Sequence, residues 1–339
     1  MTTLPQIRTP RVGVVACVAL LAAGCAASAG ARDAELDQTR ELIDLGDAQF
    51  NRRQYAEAFG TYKLAVVAAE RDGVPPALEV EALAQVAHAA LLSGDASAGR
   101  PWLERARGLA TPAEPASWSR FLLARGAYEN AAGERERAER TFAEMFAVAL
   151  ENGLVERALQ AAHMGAVVSS SQARIDWLRK GIEVADGRPG WQAPLVTNLA
   201  RTLESEGRLA EARGAYEEAG RSYGAAGDGA QRAAAEWSAA HVSRLLGELD
   251  AARAGMEACL GAARAAFERA PSWENAEWVG RCLEELGEVE LAAGREGEAL
   301  RLLSEAVEMY GRAGDGAEVV GRARAIGGRL AGMGAQEQG

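Results

Sequence analysis

A chain of 339 residues has room for two domains or one extended array. Aromatic residues are 6% of it and Gly and Pro number 38 and 10, yet 48% is apolar, so Ala, Leu and Val carry the hydrophobicity. Those residues suit closely packed helices and are poor strand formers, which excludes an all-β fold; ordinary hydrophobicity with mixed charge disfavours disorder. The net charge is −11, and −13 once Arg8 and Arg11 are removed with residues 1–24, which leaves no global footprint for nucleic acid or anionic lipid. Of the 37 basic residues only Lys63 and Lys180 are lysines.

In chain order the first element is an address. Residues 1–11 carry Arg8 and Arg11 and no acid, and Val12–Ala23 is an unbroken apolar run. That run is too short to cross a bilayer, which takes about 20 residues, and has the length of a signal-peptide core. It ends in Leu20-Leu21-Ala22-Ala23-Gly24-Cys25, which resembles the lipobox of bacterial lipoproteins. The resemblance implies cleavage before Cys25 and acylation of that residue. The departure is Ala22, where Leu is commoner. Val14-Val15-Ala16-Cys17 fits the short pattern too but has almost no apolar stretch ahead of it, and an ordinary cleaved signal with an incidental Cys25 is the competing reading. Ala26 after the Cys, in place of Asp, implies no retention at the inner membrane. The domain plan is a signal peptide over 1–24, an acylated Cys and tether over 25–35, a helical array over 36–331 and a tail over 332–339. The eight residues Ala26–Asp33 span at most about 28 Å.

The rest of the chain repeats. From Gly46, residues Tyr55, Ala58, Tyr62 and Ala65 stand at offsets 9, 12, 16 and 19. The same ruler fits Ala87, Gly99, Leu103 and Ala106; Gly126, Ala138, Phe142 and Met145; and Ala200, Leu209, Ala212, Tyr216 and Ala219. It fits again at Ala240, Leu249, Ala252, Met256 and Cys259, and at Gly287, Ala299, Leu303 and Ala306. A degenerate copy surrounds Gly165, Trp177, Leu178 and Gly181, with its central turn about three residues short. Small residues let two helix backbones approach, the large one fills the space between hairpins, and a Gly-centred breaker parts the helices at Gly94, Gly133, Gly207, Gly247 and Gly294. Within a half, Tyr55, Ala58, Phe59, Tyr62, Ala65, Val66 and Ala69 keep helical spacing.

This pattern resembles the tetratricopeptide repeat family over roughly residues 36–310. The resemblance implies an all-α, right-handed superhelix of antiparallel helix pairs, about seven repeats and a capping helix. Leu42, Leu83, Leu122 and Leu283 replace the usual Trp, and the usual Pro after the second helix is missing. The breakers at Arg53 and Gly294 are six repeats and 241 residues apart, about 40 each against the usual 34, as in kinesin light chains and tetratricopeptide-containing regulators. HEAT repeats, of similar period, are the minor alternative. Pro75, Pro76, Pro112, Pro115, Pro189, Pro194 and Pro271 are expected between repeats, and Pro101 inside one near a first turn. After Ala317, residues Val319, Val320, Ala323, Ile326 and Leu330 predict a closing helix.

No P-loop, HExxH, GxSxG or CxxC motif is present. His88, His163 and His241 lie about two repeats apart, without metal-ligand spacing. Neither metal nor cofactor is expected, and the chain reads as a non-enzyme. Cys259 and Cys282 are expected as free, buried thiols, although an exported protein permits a disulfide. Glu284, Glu285, Glu288 and Glu290 read as a solvated face.

Two function classes remain: a membrane-tethered scaffold that binds an envelope protein or peptide, or an envelope enzyme or small-ligand regulator on the same repeats. The missing catalytic constellation favours the scaffold. By the resemblance, the first helix of each pair lines the concave side, where steps of three and four residues define an inward stripe. It holds Arg40, Ile43, Asp47 and Phe50, then Glu81, His88 and Leu91, then Arg120, Leu123 and Asn130. Later repeats add Arg201, Glu204, Trp237, His241, Arg244, Arg281, Glu284 and Glu288. Trp237 is the expected anchor, and Arg201, Arg244 and Arg281 are expected to form a basic strip for an acidic or C-terminal peptide.

Overall fold

The computed structural model describes residues 34–71, 73–314 and 316–336; Cys25, the signal segment and most of the tether lie outside them. Among the described residues every regular element is helical. Helix α1 covers 34–51, and Arg53 turns the chain into α2 (Tyr55–Ala69). There follow α3 (Pro76–Leu92), α4 (Ala96–Leu109), α5 (Pro115–Ala131), α6 (Arg135–Glu151), α7 (Val155–Val168) and α8 (Ser171–Val184). The rest are α9 (Pro189–Ser205), α10 (Leu209–Ala226), α11 (Gly229–Leu245), α12 (Leu249–Arg269), α13 (Trp273–Ala292), α14 (Glu296–Ala313) and α15 (Ala317–Gln336). Seven pairs and a closing helix match the seven copies read from the spacing. Helix α15 runs to Gln336, past residue 331.

One local device builds most turns. Gly94, Gly133, Gly207, Gly247 and Gly294 all adopt positive φ, between 72° and 91°. The following N–H then reaches back to a carbonyl in the last turn of the preceding helix: Asp95 to Ala90, Glu134 to Glu129, Arg208 to Leu203, Glu248 to Ser243 and Arg295 to Glu290, at 2.9 to 3.0 Å. In the first pair the left-handed residue is Arg53, φ 62°, and Gln54 N donates to Gln49 O at 3.0 Å. Helix starts are fixed by Pro76, Pro115 and Pro189 at first positions and by Asp95, Asp228 and Ser272, whose side chains accept the N–H of Ala98, Gln231 and Asn275. Pro101 lies inside a repeat as expected, one turn further along its helix, and Pro194 departs from expectation. Pro101 and Pro194 stand at the sixth residue of α4 and α9, so Pro194 lies within a repeat, not between two. Each frees one carbonyl, of Ser97 or Gly190, and both of those residues are exposed, where a freed carbonyl is open to solvent and costs little.

The chain divides into two compact units at Ser169 and Ser170, inside the degenerate fourth copy. In the first, α2 packs on α3, α3 on α4 and α5, α5 on α6 and α6 on α7. Its core joins Ile43, Tyr62, Leu83, Phe121, Leu122, Phe142 and Met145. In the second, each helix from α8 to α15 packs on the next, around one cluster with Ile175, Val196, Leu203, Tyr216 and Val242 and another with Met256, Cys259, Val279, Cys282, Leu303 and Tyr310. The ruler positions are where backbones touch. Ala58, Ala65, Ala106, Ala138, Ala212, Ala219, Ala252, Ala299 and Ala306 are fully buried. A Cβ on Gly126 would lie 2.6 Å from two Phe142 ring carbons, so only glycine lets that ring seat.

Candidate partner-binding surface

In the first unit the inward stripe is a polar network rather than a row of solvated side chains. Asp47 on α1 accepts the Tyr62 hydroxyl at 2.6 Å and Gln85 Nε2 at 2.7 Å, and pairs with Arg120 on α5. Gln85 also donates to Tyr62 Oη at 2.9 Å. Burial works to raise the Asp47 carboxyl, but Arg120 and the donated hydrogen bonds outweigh it and hold the group below the ordinary carboxylate range. Arg120 is itself buried, and its Nε has no hydrogen-bond partner. His88 is buried beside it with its ring 5.0 Å from Phe50, and burial, with Arg120 behind it, pushes its pKa down to about 4. Arg40 is exposed at one end of the stripe, and Asn130 is half-buried at the other.

Arg157 on α7 completes the cluster. Burial first and Arg120 second lower its pKa to about 10, and it donates to Gln160 at 2.9 Å. The spacing did not single it out, because α7 belongs to the degenerate copy and the ruler has no position there. Gln85 was missed as well. It is a polar residue among the apolar positions of α3, and that anomaly was its signal.

In the second unit the stripe gathers aromatics over ion pairs. Trp237 and His241 stack with centroids 5.3 Å apart and planes at 5°, and Trp278 of α13 lies 6.4 Å from Trp237. Trp237 is half-buried, with its indole N–H covered and without a partner. His241 Nδ1 is 2.9 Å from Glu285, whose same oxygen accepts Arg244 Nε. Burial raises the Glu285 carboxyl, and His241 and Arg244 together overcome that and hold it below its ordinary value. Glu204 accepts the Tyr216 hydroxyl at 2.8 Å and stands 3.9 Å from His241 Nε2.

Two expectations are corrected here. Arg244 and Arg281 do not form a free basic strip with Arg201: Arg244 is held by Glu285, and Arg281 by Glu277 at 2.8 Å and Glu318 at 3.0 Å, while Arg201 is exposed. Nor are the α13 acids a solvated face. Glu285 and Glu290 are 6% and 4% exposed; Glu290 pairs with Arg253 and Arg295, Glu284 with Tyr310 and Arg322, and Glu288 with Arg329. The reason is the repeat itself. Arg244–Glu285, Arg253–Glu290, Arg264–Glu305 and Glu288–Arg329 are 37 to 41 residues apart, one period, so a charge on one hairpin meets its counter-charge on the next. Searching for Arg and Glu at that separation would have found them.

Cys259 and Cys282 are both free and buried, and burial pushes the Cys259 thiol up to about 11 and Cys282 higher still. Among the described residues no group of three His, Cys, Asp or Glu could hold a metal ion, and no helix is long and apolar enough to cross a membrane. A groove of about 830 Å³ between α10, α11 and α12 is floored by Ala239, Ala240, Ser243 and Gly255 and rimmed by Arg213, Arg221 and Arg232.

The signal-transduction ATPase of Pyrococcus horikoshii that carries a tetratricopeptide repeat sensor superimposes with a TM-score of 0.64 at 12% identity, over 81% of this chain and 42% of that one. The fold is a tetratricopeptide-like solenoid. The chain spans about two-fifths of that ATPase's length. Looser similarity reaches the apo quorum sensor NprR of B. thuringiensis, with a TM-score of 0.47, 13% identity and coverage of 87% and 79%. A putative kinesin light chain of Podospora anserina gives 0.34, 13%, 80% and 94%. No family model matches this tetratricopeptide-like chain, and no curated protein does.

Proposed function

We propose that this chain is a non-catalytic scaffold of a bacterial cell envelope, acylated at Cys25 on the outer membrane and facing the periplasm, that binds a protein or peptide segment along its inward helices. The anchor rests on the sequence: the basic start, the apolar run and the lipobox-like end. The observation that carries the binding reading is the cluster of Trp237, Trp278 and His241. Half-exposed aromatics packed on one another and braced by a buried ion pair form a rigid apolar patch of the kind that anchors a partner segment. Because Glu277, Glu284 and Glu285 offset the arginines, the occupant is a segment with an apolar anchor rather than a strongly acidic one.

The small-ligand alternative has the groove between α10, α11 and α12 on its side. Crosslinking and affinity purification of the acylated chain decides between the two. Trp237→Leu should abolish capture of the partner while its urea unfolding midpoint stays near wild type. Removing Arg244 is the poorer test, since it strands a buried Glu285. Undiminished capture by Trp237→Leu would place the contact elsewhere. Cys25→Ser should leave an unacylated precursor, and equal incorporation of labelled fatty acid by wild type and variant would end the lipoprotein reading.

A further inference from the structure

The outer face of α2 differs from that of the second helix in each of the five later copies that keep the full spacing. On α2, Leu64 and Val67 are 60% and 58% exposed. Carried along the repeat, the Leu64 position holds Arg105, Glu144, Glu218, Ala258 and Glu305, and the Val67 position holds Gly108, Ala147, Arg221, Gly261 and Glu308. Several of those charges close ion pairs, such as Arg105 with Glu79 and Glu305 with Arg264. Only the first copy puts large apolar residues at both places, and it leaves them bare. They lie on one stripe with Ala56 and Gly60, at helical steps, with Arg71 just past the end of the helix, and all of these are exposed.

The flanks have the character of a water–lipid boundary. Lys63, one of two lysines in the chain, extends over the Phe59 ring at 5.4 Å, an amphipathic stem beside apolar neighbours. Arg71 closes the stripe. Of the acids on α2, Glu57 lies in the far first turn and Glu70 is paired with Arg105 at 2.6 Å.

Position along the chain chooses the occupant. Arg71 Nη1 donates to Gln38 Oε1 at 3.0 Å, so the end of α2 that bears Leu64 and Val67 lies beside the start of α1. Only eight residues, 26–33, separate that start from Cys25, and eight residues reach about 28 Å at most. An acylated Cys25 therefore holds this patch within reach of its own membrane. We propose that the exposed stripe of α2 rests on the lipid surface, with Leu64 and Val67 at the headgroup boundary, and so orients the first unit against the membrane. The proposal rests on the lipoprotein reading above. The exposed acids Asp37, Glu41 and Asp44 on α1 make the preferred surface zwitterionic.

The test uses the full acylated chain reconstituted in phosphatidylcholine vesicles containing a nitroxide-labelled lipid. An environment-sensitive fluorophore is placed at Val67→Cys or, as a control, at Ala147→Cys, the matching exposed position of the third copy; the buried Cys259 and Cys282 stay unlabelled. The expected result is a blue-shifted label at 67, quenched at least twofold more than the label at 147. Mass spectrometry of the N-terminal peptide in the same sample reports acylation. Acylated protein with equal quenching at both sites overturns the membrane contact and leaves the anchor standing. Unacylated protein overturns both. A blue shift at 67 that persists without vesicles gives the patch to a second copy of the chain and overturns the proposal as well.

Discussion

Gly126→Ala is a small change with a definite expected cost. The glycine lies within α5, where alanine would by itself favour the helix by about 1 kcal/mol. Against that gain, the new Cβ would stand 2.6 Å from two carbons of the Phe142 ring, closer than real Cβ atoms come to a neighbour, and 3.1 Å from a third, which is tight. Phe142 is 0% exposed and shares the first unit's core with Met145 and Phe121, so the ring has nowhere to retreat. Overpacking of this kind costs about 1–3 kcal/mol, and three close ring atoms place it toward the upper end, for a net loss of about 1–2 kcal/mol. With a urea slope of about 2 kcal/mol/M, the midpoint of the first unit should fall by roughly 0.5–1 M. Gly214→Ala supplies the control. It lies within α10, exposed, with nothing within 4 Å of its Cβ, and should stabilise by about 0.5–1 kcal/mol. Combining Gly126→Ala with Phe142→Leu should cost less than the two changes summed, because the smaller side chain makes room. A neutral Gly126→Ala, or strict additivity in the pair, would refute the argument that this spacing exists to seat the ring.

His88, with its pKa pushed down to about 4 in the fold against an ordinary 6.5, stays neutral while the unfolded chain takes up a proton. Its contribution to stability is therefore complete above pH 6.5 and lost as pH falls toward 4, by up to about 3 kcal/mol; His88→Gln should flatten unfolding midpoints over that window, and an unchanged slope would count against the burial. For Cys259 and Cys282, burial and raised thiol pKa values predict slow alkylation of the native protein at neutral pH and rapid alkylation in urea. A linked peptide in an unreduced digest would contradict this.

The fold was legible because its determinants are local and recur: a small residue at one helix position, another twelve on, a large one four later, and a left-handed glycine between. Ala58, Phe142, Ala212 and Leu303 are all buried where that ruler placed them. The binding surface was legible only as a list of candidates. Spacing puts Asp47 and Arg120 on one stripe, but whether they are solvated or joined depends on a contact between helices 73 residues apart. The same limit misread Glu285 and Glu290, which look like surface acids within α13 and are buried because α11, α12 and the turn at Arg295 each bring a cation to them. Arg157 escaped for another reason: the fourth copy has lost the pattern that would have indexed it.

Arg53 bears on how such an array drifts. Five later turns place glycine at the left-handed position, and the first places an arginine there at φ 62° while making the same backward hydrogen bond. Hydrogen bonding thus holds the loop shape through a sequence change that the backbone dislikes. Each hairpin serves as a reference for its siblings, and a residue out of step with them marks a place where one copy has been released from the common constraint or given a task of its own. The repeats are thus a set of relatives within one chain, and the first hairpin is a copy that has diverged at both its turn and its outer face.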